Sequence, residues 1–100
     1  MTNQLKQKRD RLLAEIGKLT RLRQGQLSKQ YYTKTDEEGR PYRQGPYYVW
    51  QSWRSGRKQS VRIPSDQVPQ VEKEIQAYRE YKRLVQELAD VTEQITLTTR

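Results

Sequence analysis

Apolar positions recur at helical spacing in the first quarter of the chain. Leu5, Leu12, Ile16 and Leu19 are separated by seven, four and three residues, a one-sided stripe that predicts a helix over about Asn3 to Gln24. Gly25 follows, and a glycine just past an apolar stripe commonly ends a helix in the left-handed conformation. Arg9 and Arg23 fall on the same seam, so the stripe is interrupted and the helix requires a partner of limited length. The last third of the chain carries Val68, Val71, Ile75, Tyr78, Val85, Leu88 and Ile95, with Tyr81, Leu84 and Val91 widening the stripe. Ser65 and Asp66 are cap-type residues ahead of it, and Pro69 suits a first turn, where its missing donor does least harm. A long helix over about residues 66–96 is predicted, of which about 28 residues would span ~42 Å. Its distal half, Leu84 to Ile95, outruns a small core and must pack on the N-terminal helix or on another chain. The end, Thr96 to Arg100, is expected to fray.

Between these segments the period changes to two. Tyr47–Arg54 and Lys58–Ile63 are aromatic and β-branched runs joined at Ser55-Gly56, a tight-hairpin signal. A two-residue turn there sets Arg54 opposite Arg57 and Trp50 opposite Val61. One face then carries Tyr48, Trp50, Val61 and Ile63, which reads as core, and the other carries Tyr47, Val49, Gln51, Trp53, Lys58, Ser60 and Arg62. A further strand over about Gln26 to Thr33, with Leu27 and Tyr31 on one side, would make the sheet three-stranded. Lys34 to Pro46 is rich in charge, Gly and Pro and reads as a loop. The expected fold is therefore α+β: an N-terminal helix, a two- or three-stranded antiparallel sheet and a long C-terminal helix, the two helices packed like a coiled coil. One hundred residues make this a single small domain with one modest core (helix about 3–24, sheet about 26–63, long helix about 66–96).

Composition narrows the function. With no Cys and no His, the chain lacks thiolate zinc sites, disulfides, the commonest metal ligand and the commonest general base, so most enzyme classes are excluded and no cofactor or metal is expected. No stretch approaches the roughly 20 apolar residues of a membrane span, and MTNQLKQKRD lacks a secretory apolar core, so a soluble cytoplasmic protein is expected. Net charge is +8, and it is polarised: +6 from Met1 to Gln30, +4 from Tyr31 to Ile63 and −2 from Pro64 to Arg100. Such a chain presents a positive side to a polyanion.

The outer hairpin face gives that polyanion a chemistry. Tyr47 and Trp53 stand beside Gln51, Lys58 and Arg62, with Arg54 and Arg57 at the tip, so flat rings alternate with phosphate-seeking cations. Lys and Arg neutralise phosphates, aromatics stack on bases or sugars, and Arg or Gln read base edges. The bland alternative is that Trp53 and Tyr47 pack under a helix and the cations merely protect a sheet edge. The basic N-terminal helix is a second candidate. Lys8, Arg11, Lys18 and Arg21 lie off its apolar stripe, where they would track phosphates or pair with the C-terminal helix. There Glu80 and Glu87 stand seven residues apart, Gln94 continues the spacing and Lys73 breaks it. Asp36, Glu37 and Glu38 are adjacent acids in a loop, a poor metal geometry and a common solvated turn. Gly39, Gly45 and Gly56 match no phosphate-loop spacing.

The run GPYYVWQSWRSGRKQSVRIP, followed by the helix YREYKRLVQEL, resembles an uncharacterised prokaryotic domain family encoded near transposases and other mobile elements. The resemblance covers roughly Gly25 to Leu88 and rests on Gly25, Leu27, Tyr31, Gly45, Pro46, Tyr47, Tyr48, Gly56, Val61 and Pro64. That family commonly carries a cysteine cluster ahead of the Gly-Pro-Tyr-Tyr segment; TKTDEEGRPYRQ stands there in this chain, so no zinc site is implied. What the resemblance implies is a mobile-element or phage-like, DNA-associated setting, with no catalytic residue. A shape-level similarity extends to the sheet-plus-helix domains of plant ethylene-response factors and recombinase arm-binding modules, which present an aromatic, Arg-bearing sheet to the major groove. The expectation is thus a nucleic-acid-binding protein, DNA favoured over RNA, that is not an enzyme. The alternative is a protein–protein adaptor working through the long C-terminal helix, as a homodimer or with another partner.

Overall fold

A computed structural model describes residues 2–99. In chain order the elements are helix α1 (Thr2–Gly17), strands β1 (Gln26–Thr35), β2 (Pro41–Arg54) and β3 (Arg57–Ile63), a single 3-10 turn at Ser65–Gln67, and helix α2 (Val68–Thr98). The arrangement is α+β, and the sheet is three-stranded and antiparallel in the order β1-β2-β3. Contacts divide the chain into two compact units: a helical unit made of the segments up to Leu22 and from Gln76 onward, and a sheet unit, Arg23–Ile75. Where one small core is expected from length, the buried residues form two clusters, one in each unit. Among the described residues no helix is long and apolar enough to cross a membrane.

In the helical unit, α1 packs on the distal part of α2. Leu12, Leu84 and Val91 are buried, and Leu5, Ile16, Leu19, Leu88 and Ile95 close around them, so the predicted stripe finds its partner within the chain. The helices run antiparallel: Leu5 and Lys8 lie beside Gln94 and Leu97, whereas Leu12 and Glu15 lie beside Arg83 and Glu87. The N-terminal helix stops at Gly17, seven residues short of the expected end. Glycine is the poorest helix former after proline. The last turn tightens there through i→i+3 hydrogen bonds, Lys18 N to Glu15 O (3.2 Å) and Leu19 N to Ile16 O (3.1 Å). Leu19 continues the apolar stripe without being helical, because it reaches the same core from the extended segment that follows. At the other end, α2 begins after the 3-10 turn of Ser65–Gln67, with Pro69 in its first turn as expected, and remains helical through Thr98. The helix thus runs into the segment from Thr96 that is expected to fray, and Arg100 lies outside the described residues.

In the sheet unit, Ile63, Val68, Val71 and Ile75 are buried, with Leu27, Tyr48 and Trp50 against them. The first turns of α2 thus cover one face of the sheet. The β2–β3 register is the expected one, with Trp50 opposite Val61, Trp53 opposite Lys58 and Arg54 opposite Arg57. Ser55 and Gly56 both have positive φ (53° and 76°), as a type I′ hairpin turn requires. Val61 shares the covered face but stays half exposed, because β3 is the edge strand and the helix does not reach it. Pro41 to Pro46, read above as loop, belongs instead to β2, which pairs with β1 as far as Thr35–Pro41. An Asp36-centred turn makes that possible: its Oδ1 accepts from Glu38 N (3.0 Å) and Arg40 N (2.8 Å), and Asp36 N donates to Arg40 O (2.9 Å).

Gly25 does not end a helix. It sits at φ 100°, and a Cβ there would lie 2.1 Å from the Gln51 carbonyl oxygen. Its hydrogen is what lets the chain enter β1 against β2. Gly25→Ala should cost about 1–2 kcal/mol from the backbone conformation alone, and the clash with fixed backbone adds to it. A denaturation midpoint clearly below wild type checks this; an unchanged midpoint would contradict the geometry.

Candidate nucleic-acid interface

Strand alternation and the observed pairing sort the side chains of the sheet onto two faces. The helix-covered face carries Leu27, Tyr48, Trp50, Ser52 and Ile63. The opposite face carries Gln26, Ser28, Gln30, Tyr32 and Lys34 from β1. From β2 it takes Tyr42, Gln44, Tyr47, Val49, Gln51 and Trp53, and from β3 Lys58, Ser60 and Arg62. No acidic residue lies on this face. The acids of the β1–β2 connection are held at its turn, where Arg40 pairs with Asp36 (3.2 Å) and Glu38 (2.8 Å).

Trp53 is 60% exposed, so it does not pack under a helix. The Lys58 ammonium lies 5.7 Å from its ring centre, directly across the β2–β3 pair. The Arg62 guanidinium stacks on Tyr47 at 3.9 Å, and Tyr32 packs against the same ring at 5.1 Å with planes tilted by 59°. Tyr47 is consequently a half-buried support beneath Arg62, rather than a free ring as the sequence pattern implies. The exposed rings are Trp53 and two that sequence reasoning missed, Tyr42 and Tyr32, both close to half exposed, Tyr32 with one side against Tyr47. Tyr42 was hidden by the reading of Lys34–Pro46 as loop, and only the register shift between the Gln30–Tyr47 and Tyr32–Gln44 pairs brings it to this face; Tyr32 lay in the expected Gln26–Thr33 strand, where alternation with Tyr31 was the available signal.

The amides behave differently. Gln51 Oε1 accepts from Gln26 Nε2 (3.3 Å) and Ser28 Oγ (3.2 Å), and Gln30 Oε1 accepts from the Tyr32 hydroxyl (3.4 Å). Gln51, expected to face a ligand, is thus tied into the sheet. Arg54 and Arg57 stand opposite each other at the hairpin tip, both exposed, a like-charge pair that costs stability in a bare sheet. At the far end, Tyr31 is flanked by Arg43 (4.0 Å) and Lys29 (5.9 Å), so the β1–β2 ribbon carries cations on its second face too.

Arg23 has a structural role that its place on the helical seam concealed. It lies beyond α1, pairs with the buried carboxylate of Glu74 at 3.0 Å, donates its backbone N–H to Glu74 O at 2.9 Å, and covers Trp50 at 4.6 Å. Trp50 in turn donates its indole N–H to Gln24 O at 2.7 Å.

The second set of candidate cations does not form one helical row. Lys8 and Arg11 are exposed on α1, but Lys18 and Arg21 lie past its end at Gly17. Glu80 and Glu87 are both bound on their own helix, by Arg83 (2.6 Å to the latter). The hydrogen bond from Arg83 holds the Glu80 carboxyl below its usual range, and the same contact raises the guanidinium. Lys8 and Arg11 border a groove with Glu15, Arg83 and Glu87 and make no ion pair among the described residues. The distal stripe of α2, the adaptor surface expected from sequence, is occupied by α1 through Leu88 and Ile95.

No protein-family model, curated protein or solved structure matches this chain.

Proposed function

We propose that the protein binds nucleic acid through the uncovered face of its sheet. The observation that carries this reading is an acid-free face on which exposed rings and cations are interleaved, with Arg62 over the ring of Tyr47 and Lys58 beside Trp53. Arg54 and Arg57 add to it, since an anion between them would relieve their mutual repulsion. Lys34 extends the positive field along the ribbon, and Lys8 and Arg11 supply a further cationic surface in the helical unit. DNA is the first polymer to test, because the mobile-element resemblance of the hairpin and its following helix points there.

Phosphate neutralisation makes the reading quantitative. If about six cations contact phosphate, affinity for duplex DNA falls on the order of 10³-fold between 50 and 200 mM salt. Titrating the protein into labelled duplex DNA, single-stranded DNA and RNA at both salt concentrations measures this. Salt-steep binding to at least one polymer is expected; absence of binding to all three at low salt removes the proposal and returns attention to a protein partner.

A further inference from the structure

Resting on that reading, we infer that the ligand is a single strand, bound by base stacking with little preference for sequence. Two ways of using this face make different demands on its side chains. Duplex readout requires amide and guanidinium forks free to meet base edges, since the ring faces of paired bases are hidden in the stack. Single-strand binding requires free ring faces along a positive track.

The face meets the second demand. Three of its four amides are engaged within the sheet: Gln26 and Ser28 both bond to Gln51, and Tyr32 bonds to Gln30, while the side-chain oxygen of Gln44 is buried. Arg62 lies over the Tyr47 ring, 3.9 Å from its centre, which sets its guanidinium within the positive track. The rings of Tyr32, Tyr42 and Trp53 remain 49%, 47% and 60% exposed. Tyr42 and Trp53 are both on β2, eleven positions apart, so the track between them runs up to roughly 35–37 Å at strand rise. Lys34 stands opposite Tyr42 and Lys58 opposite Trp53, which places a cation beside the free ring at either end. A flexible strand can lay its bases on such a track while its phosphates face the flanking lysines; a stiff duplex leaves the rings with sugar edges alone. With three of the four amides of the face held in the sheet, base stacking outweighs edge readout, so the binding is sequence-tolerant.

The test uses the full chain and four probes of equal length: an oligo-dT strand, an oligo-U strand, an abasic strand that keeps phosphates and loses bases, and a mixed-sequence duplex. The dT strand is expected to bind at least about tenfold more tightly than the abasic strand and more tightly than the duplex. Trp53→Ala and Tyr42→Ala should each remove much of that margin while leaving abasic binding within about twofold, with circular dichroism unchanged. The oligo-U arm shows whether the sugar matters; binding equal to dT is expected from a face that stacks bases. Equal binding of dT and abasic strands, or preference for the duplex, overturns the inference and leaves nucleic-acid binding by charge intact. Failure of all four probes to bind at low salt would instead remove the underlying reading.

Discussion

Replacing Trp53 and Arg62 together by alanine should weaken nucleic-acid binding on the order of 100-fold or more while leaving the fold in place. The binding loss combines two contributions. A stacked ring contributes about 1–3 kcal/mol per base. A cation held against phosphate contributes a charge-assisted contact, and its removal lowers the salt slope by about one. The fold survives because neither residue belongs to a buried cluster. Trp53 is 60% exposed, Arg62 lies on the solvent side of Tyr47, and the core of the sheet unit is made by Ile63, Val68, Val71 and Ile75. Surface substitutions of this kind usually change stability by less than about 0.5 kcal/mol, with roughly as much again for the lost stacking of Arg62 on Tyr47. Thermal unfolding and binding measured on the same preparation separate the two effects. A double variant that folds and binds like wild type would show that the face is bystander surface. Lys8→Ala with Arg11→Ala, made in parallel, reports whether the helical unit shares the phosphate contacts.

The hairpin that carries these residues was readable from sequence because two local signals agreed on one register. Ser55-Gly56 supplies the positive φ values of a tight turn, and the alternation on either side admits only one assignment of faces. The helical stripes were readable for a similar reason, since Leu5, Leu12 and Ile16 on α1 and Leu84, Leu88, Val91 and Ile95 on α2 recur at spacings that a helix brings to one side. Errors arose where tertiary partners replaced local rules. Gly25 looked like a helix cap because it follows an apolar stripe, whereas its role is set by the Gln51 carbonyl, 26 residues away in sequence. Pro41–Pro46 looked like loop because alternation is visible only when one face is buried, and this part of the ribbon lies beyond the reach of β3, whose pairing begins at Tyr48. Arg23 looked like an interruption in a helical seam, and only the fold brings it to Glu74 and Trp50. The candidate site was therefore half legible: Trp53, Lys58 and Arg62 came from the hairpin pattern and Tyr32 lay in an expected strand without being singled out, while Tyr42 required the ribbon and its register shift to be recognised first.

Leu84→Ala should be the most destabilising conservative truncation in the helical unit. Leu84 is only 2% exposed and is surrounded by Leu12 and Val91, with Leu5, Ile16, Leu19, Leu88 and Ile95 completing the cluster. Truncation removes apolar atoms that have no access to water and leaves a cavity, which together cost about 2–5 kcal/mol in a packed core. A domain of this size has about 5–15 kcal/mol in total, so the loss is a large share of what holds the helices together. The cluster is also small, and the helices that make it have few other apolar residues to repack into the space. Leu97→Ala is the matched control: it is 63% exposed on the same helix and should change stability by less than about 0.5 kcal/mol. Urea unfolding of both variants, followed by circular dichroism, gives the comparison. Because the proposed binding face lies on the sheet, Leu84→Ala should retain nucleic-acid binding at temperatures where it is still folded. A variant that keeps its helicity yet loses binding at 10 °C would shift the functional surface from the sheet to the helical hairpin.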